Sequence, residues 1–79
     1  MTDREELALR LDNAAAFAPP GSRWLHWKGQ TYTVVLVCLN EETLEPMVIY
    51  AHDGLTFARL LTVWIEPVLV GNDWVPRFR

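Results

Sequence analysis

The sequence predicts a mainly β domain, in which five or six short antiparallel strands curl into a small barrel behind a short N-terminal helix. Three observations predict it. The 79 residues suffice for one core only, and 51% of them are hydrophobic. From residue 22 onward, β-branched and aromatic runs alternate with tight turns. We therefore expect a helical arm and linker over residues 1–20 and a barrel domain over residues 21–79.

The first element is a helix over residues 3–17. Thr2 with Glu5, or Asp3 with Glu6, fits a capping box, in which side chains satisfy the free N–H groups of the first turn. Two prolines and a glycine follow the helix and end it, because proline lacks the backbone donor. The apolar positions at helical spacing form one stripe: Leu7, Leu11, Ala14 and Ala18.

The remaining elements are strands joined by short turns. Asp53-Gly54 is a strong hairpin signal, because both residues accept positive φ. Pro67 indicates an edge or bulged strand, since it cannot donate to a ladder. Residues 60–64 fit either a helical turn or continued strand. We expect strands over Ser22 to Trp27, Thr31 to Leu39, Pro46 to His52, Leu55 to Arg59, Ile65 to Val70 and Trp74 to Phe78.

The longest strand predicts cover on both of its faces. If its side chains alternate strictly, one face carries Tyr32, Val34, Leu36 and Cys38. The opposite face begins with threonines and ends with Val35, Val37 and Leu39. The far half of the strand is therefore apolar on both sides. Either the N-terminal helix or a dimer partner covers the second side.

Several short motifs follow one another in a fixed order: His26-Trp27-Lys28-Gly29, Tyr32, Glu42-Thr43-Leu44-Glu45, Val48-Ile49-Tyr50 and Pro76-Arg77-Phe78. Their order and spacing from Gly21 to Phe78 resemble the bacterial domain-of-unknown-function family 1653. Two positions depart from the pattern. Asn40 stands where the family has His, and Phe57-Ala58-Arg59-Leu60 stands where it has W-V-R-P. The resemblance implies an SH3-like barrel, and it implies no activity.

Charge and composition argue against several functions. The net charge is −3, with one Lys and six dispersed Arg, which makes nucleic-acid binding less expected. The two histidines and the lone Cys38 have no metal-ligand spacing, so we expect no metal, no cofactor and no disulfide. No apolar run approaches the roughly 20 residues of a membrane span, and we expect a cytoplasmic protein without a membrane role.

We therefore predict a non-catalytic binding or protein-interaction module without catalytic residues. The hypothesised ligand site is His26, Lys28, Tyr50 and Arg59, because these polar side chains interrupt strands that need only apolar ones. Arg59 is suited to bidentate binding of carboxylate or phosphate. The structural alternative is that the aromatic residues form core and Arg59 pairs with a glutamate.

Three further possibilities stay open. A single strand of nucleic acid could be held if the basic residues converge: Arg23, Lys28, Arg59, Arg77 and Arg79. A small enzyme or ligand-binding domain would need a cleft near Arg59. Self-association is also expected, because four Trp residues and a strand that is apolar on both faces would leave much apolar surface exposed in a monomer.

Overall fold

The computed structural model describes residues 3–79 and confirms a mainly β architecture with an N-terminal helix. Four strands form one antiparallel sheet in the order β1-β2-β3-β4, and β5 and β6 form a second, two-stranded sheet. The elements are α1 (Arg4–Phe17), β1 (Arg23–Leu25), β2 (Thr31–Leu39), β3 (Pro46–His52), β4 (Leu55–Leu60), α2 (Leu61–Trp64), β5 (Val68–Val70) and β6 (Asp73–Val75).

The N-terminal helix begins at an acidic cap and lies against β2 and β3. The carboxylate of Asp3 accepts the N–H of Glu5 at 3.4 Å, whereas Thr2 lies outside the described residues. Ala14 and Ala18 of the predicted apolar stripe are buried. Their small side chains let the helix backbone approach the sheet closely. Neither helix within residues 3–79 has the length and apolar character needed to cross a bilayer.

The hairpin between β3 and β4 forms as predicted. Asp53 and Gly54 have φ values of 52° and 77°, which is the left-handed pair that a type I′ turn requires. The strands pair in continuous register from His52 opposite Leu55 to Met47 opposite Leu60. The ambiguous residues 60–64 divide between the end of β4 and the short helix α2.

A β-bulge at Val35 makes the prediction of strict alternation wrong beyond Val34. Val34 lies opposite Tyr50, but Leu36 lies opposite Ile49, so Val35 is an extra residue in β2. One inserted residue moves all later side chains to the other face. Val37 consequently packs against the core, and Leu36 lies on the exposed face.

The predicted closure into a barrel is not found: across the described chain, β1 does not pair with β4. The C-terminal segment occupies the outer edge of β1 instead. Leu25 and Arg79 exchange two backbone hydrogen bonds of 2.7 and 3.0 Å, and the N–H of Trp27 donates to the carbonyl of Arg77 at 2.9 Å. The predicted fifth strand begins only after Pro67 and pairs with β6 alone. The chain therefore extends the sheet at β1 without bringing its two edges together.

An aromatic stack fills the core on the inner face of the four-stranded sheet. The rings of Trp64 and Phe78 stack nearly parallel, with centroids 3.7 Å apart and planes 7° apart. Tyr50 meets Trp64 edge-on at 5.0 Å. The buried cluster comprises Ala18, Val34, Val48, Tyr50, Trp64 and Phe78. The stack links α2 and the C-terminal segment to β3, and its edge reaches the surface beside β1.

Candidate functional site

His26 lies where the aromatic stack meets the surface. Its backbone forms an isolated antiparallel bridge with Phe78, just beyond the end of β1. Its ring lies 5.0 Å from the Phe78 ring and 6.0 Å from the Tyr32 ring, measured between centroids. The backbone N–H of Lys28 donates to Nδ1 of His26 at 3.2 Å. The imidazole is therefore held between two aromatic rings and a turn.

Arg59 approaches the same aromatic stack from β4. Its Nε donates to the hydroxyl of Tyr50 at 3.2 Å, and its Cζ lies 5.6 Å from the centre of the Phe78 ring. Both contacts are to uncharged groups. The ion pair found within residues 3–79 joins Arg10 to Glu6 on α1, so no carboxylate neutralises Arg59 there. The structural alternative, in which Arg59 pairs with a glutamate, is therefore not found within residues 3–79.

Two more cations complete this surface. The Nζ of Lys28 lies 5.3 Å from the centre of the Trp27 ring, in a cation–π contact. Arg77 lies beside Phe78 in the C-terminal segment. Its Nε is buried and has no hydrogen-bond partner among the residues that the structure describes. Burying a donor without a partner is unfavourable, so the Nε of Arg77 is a destabilising feature of this surface.

The environment of His26 is distinctly cationic. Desolvation lowers the pKa of its imidazole, and the positive charges of Arg59, Lys28 and Arg77 lower that pKa further. The charges of three side chains, from three segments of the chain, therefore disfavour protonation of the same imidazole ring. We call His26, Lys28, Arg59 and Arg77 the cationic surface.

The structure brings three of the four predicted site residues together and places the fourth beneath them. His26, Lys28 and Arg59 belong to the cationic surface. Tyr50 is only 5% exposed, and its hydroxyl supports Arg59 from below. Arg77 is a candidate in the sequence only as one of the basic residues of the nucleic-acid alternative. No local sequence signal marks Arg77, because its place depends on the pairing of the C-terminal segment with β1.

The remaining candidate groups have structural roles or lie apart. Asn40, at the position where the resembled family has His, accepts the N–H groups of Glu42 and Thr43 with its side-chain oxygen, at 3.0 and 3.1 Å. It therefore organises the loop between β2 and β3. Over residues 3–79, no three side chains of the metal-ligating types come together. Cys38 is a half-buried free thiol on β2.

Comparison with known proteins gives one family and one solved structure. The model of the family described as "Protein of unknown function (DUF1653)" matches residues 22–79. The crystal structure of a protein of that family from Bordetella bronchiseptica is similar to this chain at 38% identity and a TM-score of 0.62. The match covers 75% of this chain and 81% of the other. No curated protein matches.

Proposed function

We propose a binding role for this chain, which belongs to the DUF1653 family of proteins of unknown function. The chain is a small non-catalytic module that binds an acidic segment of a protein partner at the cationic surface. We also infer that it works in the cytoplasm. That inference rests on the single cysteine, Cys38, which cannot form an intrachain disulfide. Small domains in oxidising compartments commonly carry such disulfides.

The observation that carries the proposal is a group of cations without counter-charges. Arg59 contacts a hydroxyl and an aromatic ring, Lys28 contacts an indole, and the buried Nε of Arg77 contacts no acceptor in the described chain. A carboxylate from a partner would accept hydrogen bonds from Lys28 and Arg59, which are exposed or partly exposed, and would relieve the repulsion between the cations. Charge-assisted hydrogen bonds of this kind are the strong ones, and the guanidinium group matches a carboxylate in shape.

Size and charge favour an acidic protein segment over a nucleic acid. The cationic surface is local, and the chain as a whole carries a net charge of −3. Such a patch suits one or two carboxylates, whereas a phosphate backbone needs a continuous cationic track. The neighbouring Trp27 ring, 39% exposed, adds an apolar contact for a side chain flanking the carboxylate. Aromatic and arginine side chains are the usual anchors of protein interfaces.

A single strand of nucleic acid is the second candidate, and Trp27 favours it. Its indole is partly exposed and carries the ammonium group of Lys28 at 5.3 Å from the ring centre. A base stacked on this indole would place its phosphate near Lys28. Stacking of this kind contributes about 1–3 kcal/mol per base and is largely independent of sequence.

Exchange of Arg59 for Gln tests the proposed binding of a carboxylate at the cationic surface. We expect Arg59→Gln to weaken binding of a glutamate-rich peptide about 10- to 100-fold, because a charged hydrogen bond contributes about 1.5–3 kcal/mol. Titration calorimetry at fixed salt measures the effect. Arg23→Gln is the matched control, because Arg23 is an exposed arginine of β1 outside the cationic surface. It should bind the peptide like the unchanged protein.

Three results would count against the proposal. Equal losses for Arg59→Gln and Arg23→Gln would mean that only overall charge matters. Tighter binding of oligothymidylate than of the peptide, with a steep salt dependence, would favour the nucleic-acid candidate. Binding of neither probe by the unchanged protein would contradict a binding role for the cationic surface.

A further inference from the structure

The hairpin of β5 and β6 presents an apolar face to solvent. Leu69 and Trp74 are direct cross-strand partners, and they are 53% and 68% exposed. Because side chains alternate along a strand, Leu69 and Trp74 lie on one side of the hairpin, and the pairs Val68–Val75 and Val70–Asp73 lie on the other. A tryptophan exposed to this degree beside an exposed leucine is an unusual surface, because large aromatic side chains gain most from burial.

This hairpin is supported on one side only. Its inner side contributes Val70 and Val75 to a groove of about 290 Å³ that Leu25, Trp27 and Pro76 also line. Its sheet has no third strand within residues 3–79. Two-stranded hairpins are marginally stable in water unless another element packs on them. The face carrying Leu69 and Trp74 is the side that still lacks such cover.

The whole chain exposes more surface than a compact monomer of its size. Its accessible surface is 5599 Å², whereas a folded monomer of 9.1 kDa is expected to expose about 4,900 Å². The radius of gyration is 13.5 Å, against about 11.6 Å expected for this length. This excess of about 700 Å² over the whole chain is close to the ~800 Å² that each partner buries in a standard protein interface. Trp74 is the most exposed large apolar side chain of the described residues, which places the hairpin first among the surfaces that a partner would cover.

We propose that a second copy of this chain covers the outward face of the hairpin, in a dimer with two-fold symmetry. With a two-fold axis through this face, Leu69 of each copy lies against Trp74 of the other. The same contact therefore forms two times, and the surface is complementary to itself. No charge opposes the contact at its centre, because Asp73 points to the other side of the hairpin with Val70, its cross-strand partner. An exposed tryptophan at the centre is the usual anchor of such an interface.

Sedimentation equilibrium at micromolar concentration tests the dimer. We expect the unchanged protein to sediment at twice its 9.1 kDa mass. Trp74→Ala should raise the dissociation constant about 30-fold or more, which is the effect of removing a central anchor. Leu69→Ala should weaken the dimer in the same direction. Leu36→Ala is the control, because Leu36 is also an exposed apolar residue but lies on β2.

The outcomes are distinguishable from loss of folding and from failure of the proposed function. Trp74 is exposed, so the circular dichroism of Trp74→Ala should match that of the unchanged protein, and its binding of the glutamate-rich peptide should persist. A monomer at all concentrations would overturn the proposal. So would a dimer that survives Trp74→Ala and Leu69→Ala but dissociates in Leu36→Ala, since the interface would then lie on the outer face of the four-stranded sheet.

Discussion

Phe78→Ala is expected to lower the free energy of unfolding by about 3–5 kcal/mol, the usual cost of truncating a buried aromatic side chain. Phe78 is 5% exposed and stacks on Trp64 at 3.7 Å. It also anchors the C-terminal segment to β1 and supports the guanidinium of Arg59. A domain of this length is stabilised by only about 4–12 kcal/mol in total. The variant should therefore lose at least about a quarter of its stability, and all of it at the lower end of this range.

Urea denaturation followed by far-ultraviolet circular dichroism measures this loss. Phe57→Ala is the matched control, because Phe57 belongs to the same group of rings but is 39% exposed. It should cost about 1 kcal/mol. Equal midpoints for Phe78→Ala and the unchanged protein would mean that the C-terminal segment is not part of the core.

Ala14→Asp is expected to cost about 3–5 kcal/mol, because it would bury a carboxylate between α1 and the sheet, and the cation one turn earlier, Arg10, already pairs with Glu6. Ala14 is 1% exposed, and Ala18, one turn later, belongs to the core cluster. We propose that residues 3–20 of the N-terminal arm, although separate in sequence character from the domain over residues 21–79, fold with it as one unit.

Thermal denaturation of two variants tests this proposal. Ala16→Asp changes an exposed position of the same helix by the same substitution, so it should cost the lower helix propensity of Asp and its repulsion from Asp12 one turn earlier, together roughly 1 kcal/mol. A difference in midpoint between Ala14→Asp and Ala16→Asp is the expected result. Equal, small losses would show that the helix is detached from the sheet in solution.

The helix and the main hairpin could be predicted from the sequence because their signals are local. Asp3 caps the helix, and Asp53-Gly54 specifies a turn whose backbone angles few other residue pairs tolerate. The arrangement of the sheet depends on non-local pairing. The bulge at Val35 leaves no mark in an unbroken apolar run, and the prediction therefore assigned Val37 to the wrong face.

Barrel closure failed as a prediction for a related reason. Strand number and turn spacing do not say which segment occupies a strand's outer edge. Here residues 77–79 pair with β1, and β5 and β6 pair only with each other.

The candidate site was predictable in its residue types and only partly in its geometry. Polar side chains on otherwise apolar strands predicted His26 and Arg59 as site residues, and both lie against the Phe78 ring. Burial could not be assigned in advance to Tyr50, because a tyrosine suits either a core or a surface. Arg77 joins the site through the pairing of the C-terminal segment with β1, and that contact spans about two thirds of the sequence.

The pKa of the His26 imidazole, measured by NMR with and without the glutamate-rich peptide at constant ionic strength, tests the cationic surface most directly. Without peptide, we predict a pKa below the ordinary value for histidine, because desolvation and the charges of Arg59, Lys28 and Arg77 oppose protonation. Bound carboxylates should offset those charges and raise the pKa. By linkage, the peptide should then bind more tightly as the pH falls through this range. A pKa that the peptide leaves unchanged would contradict the account.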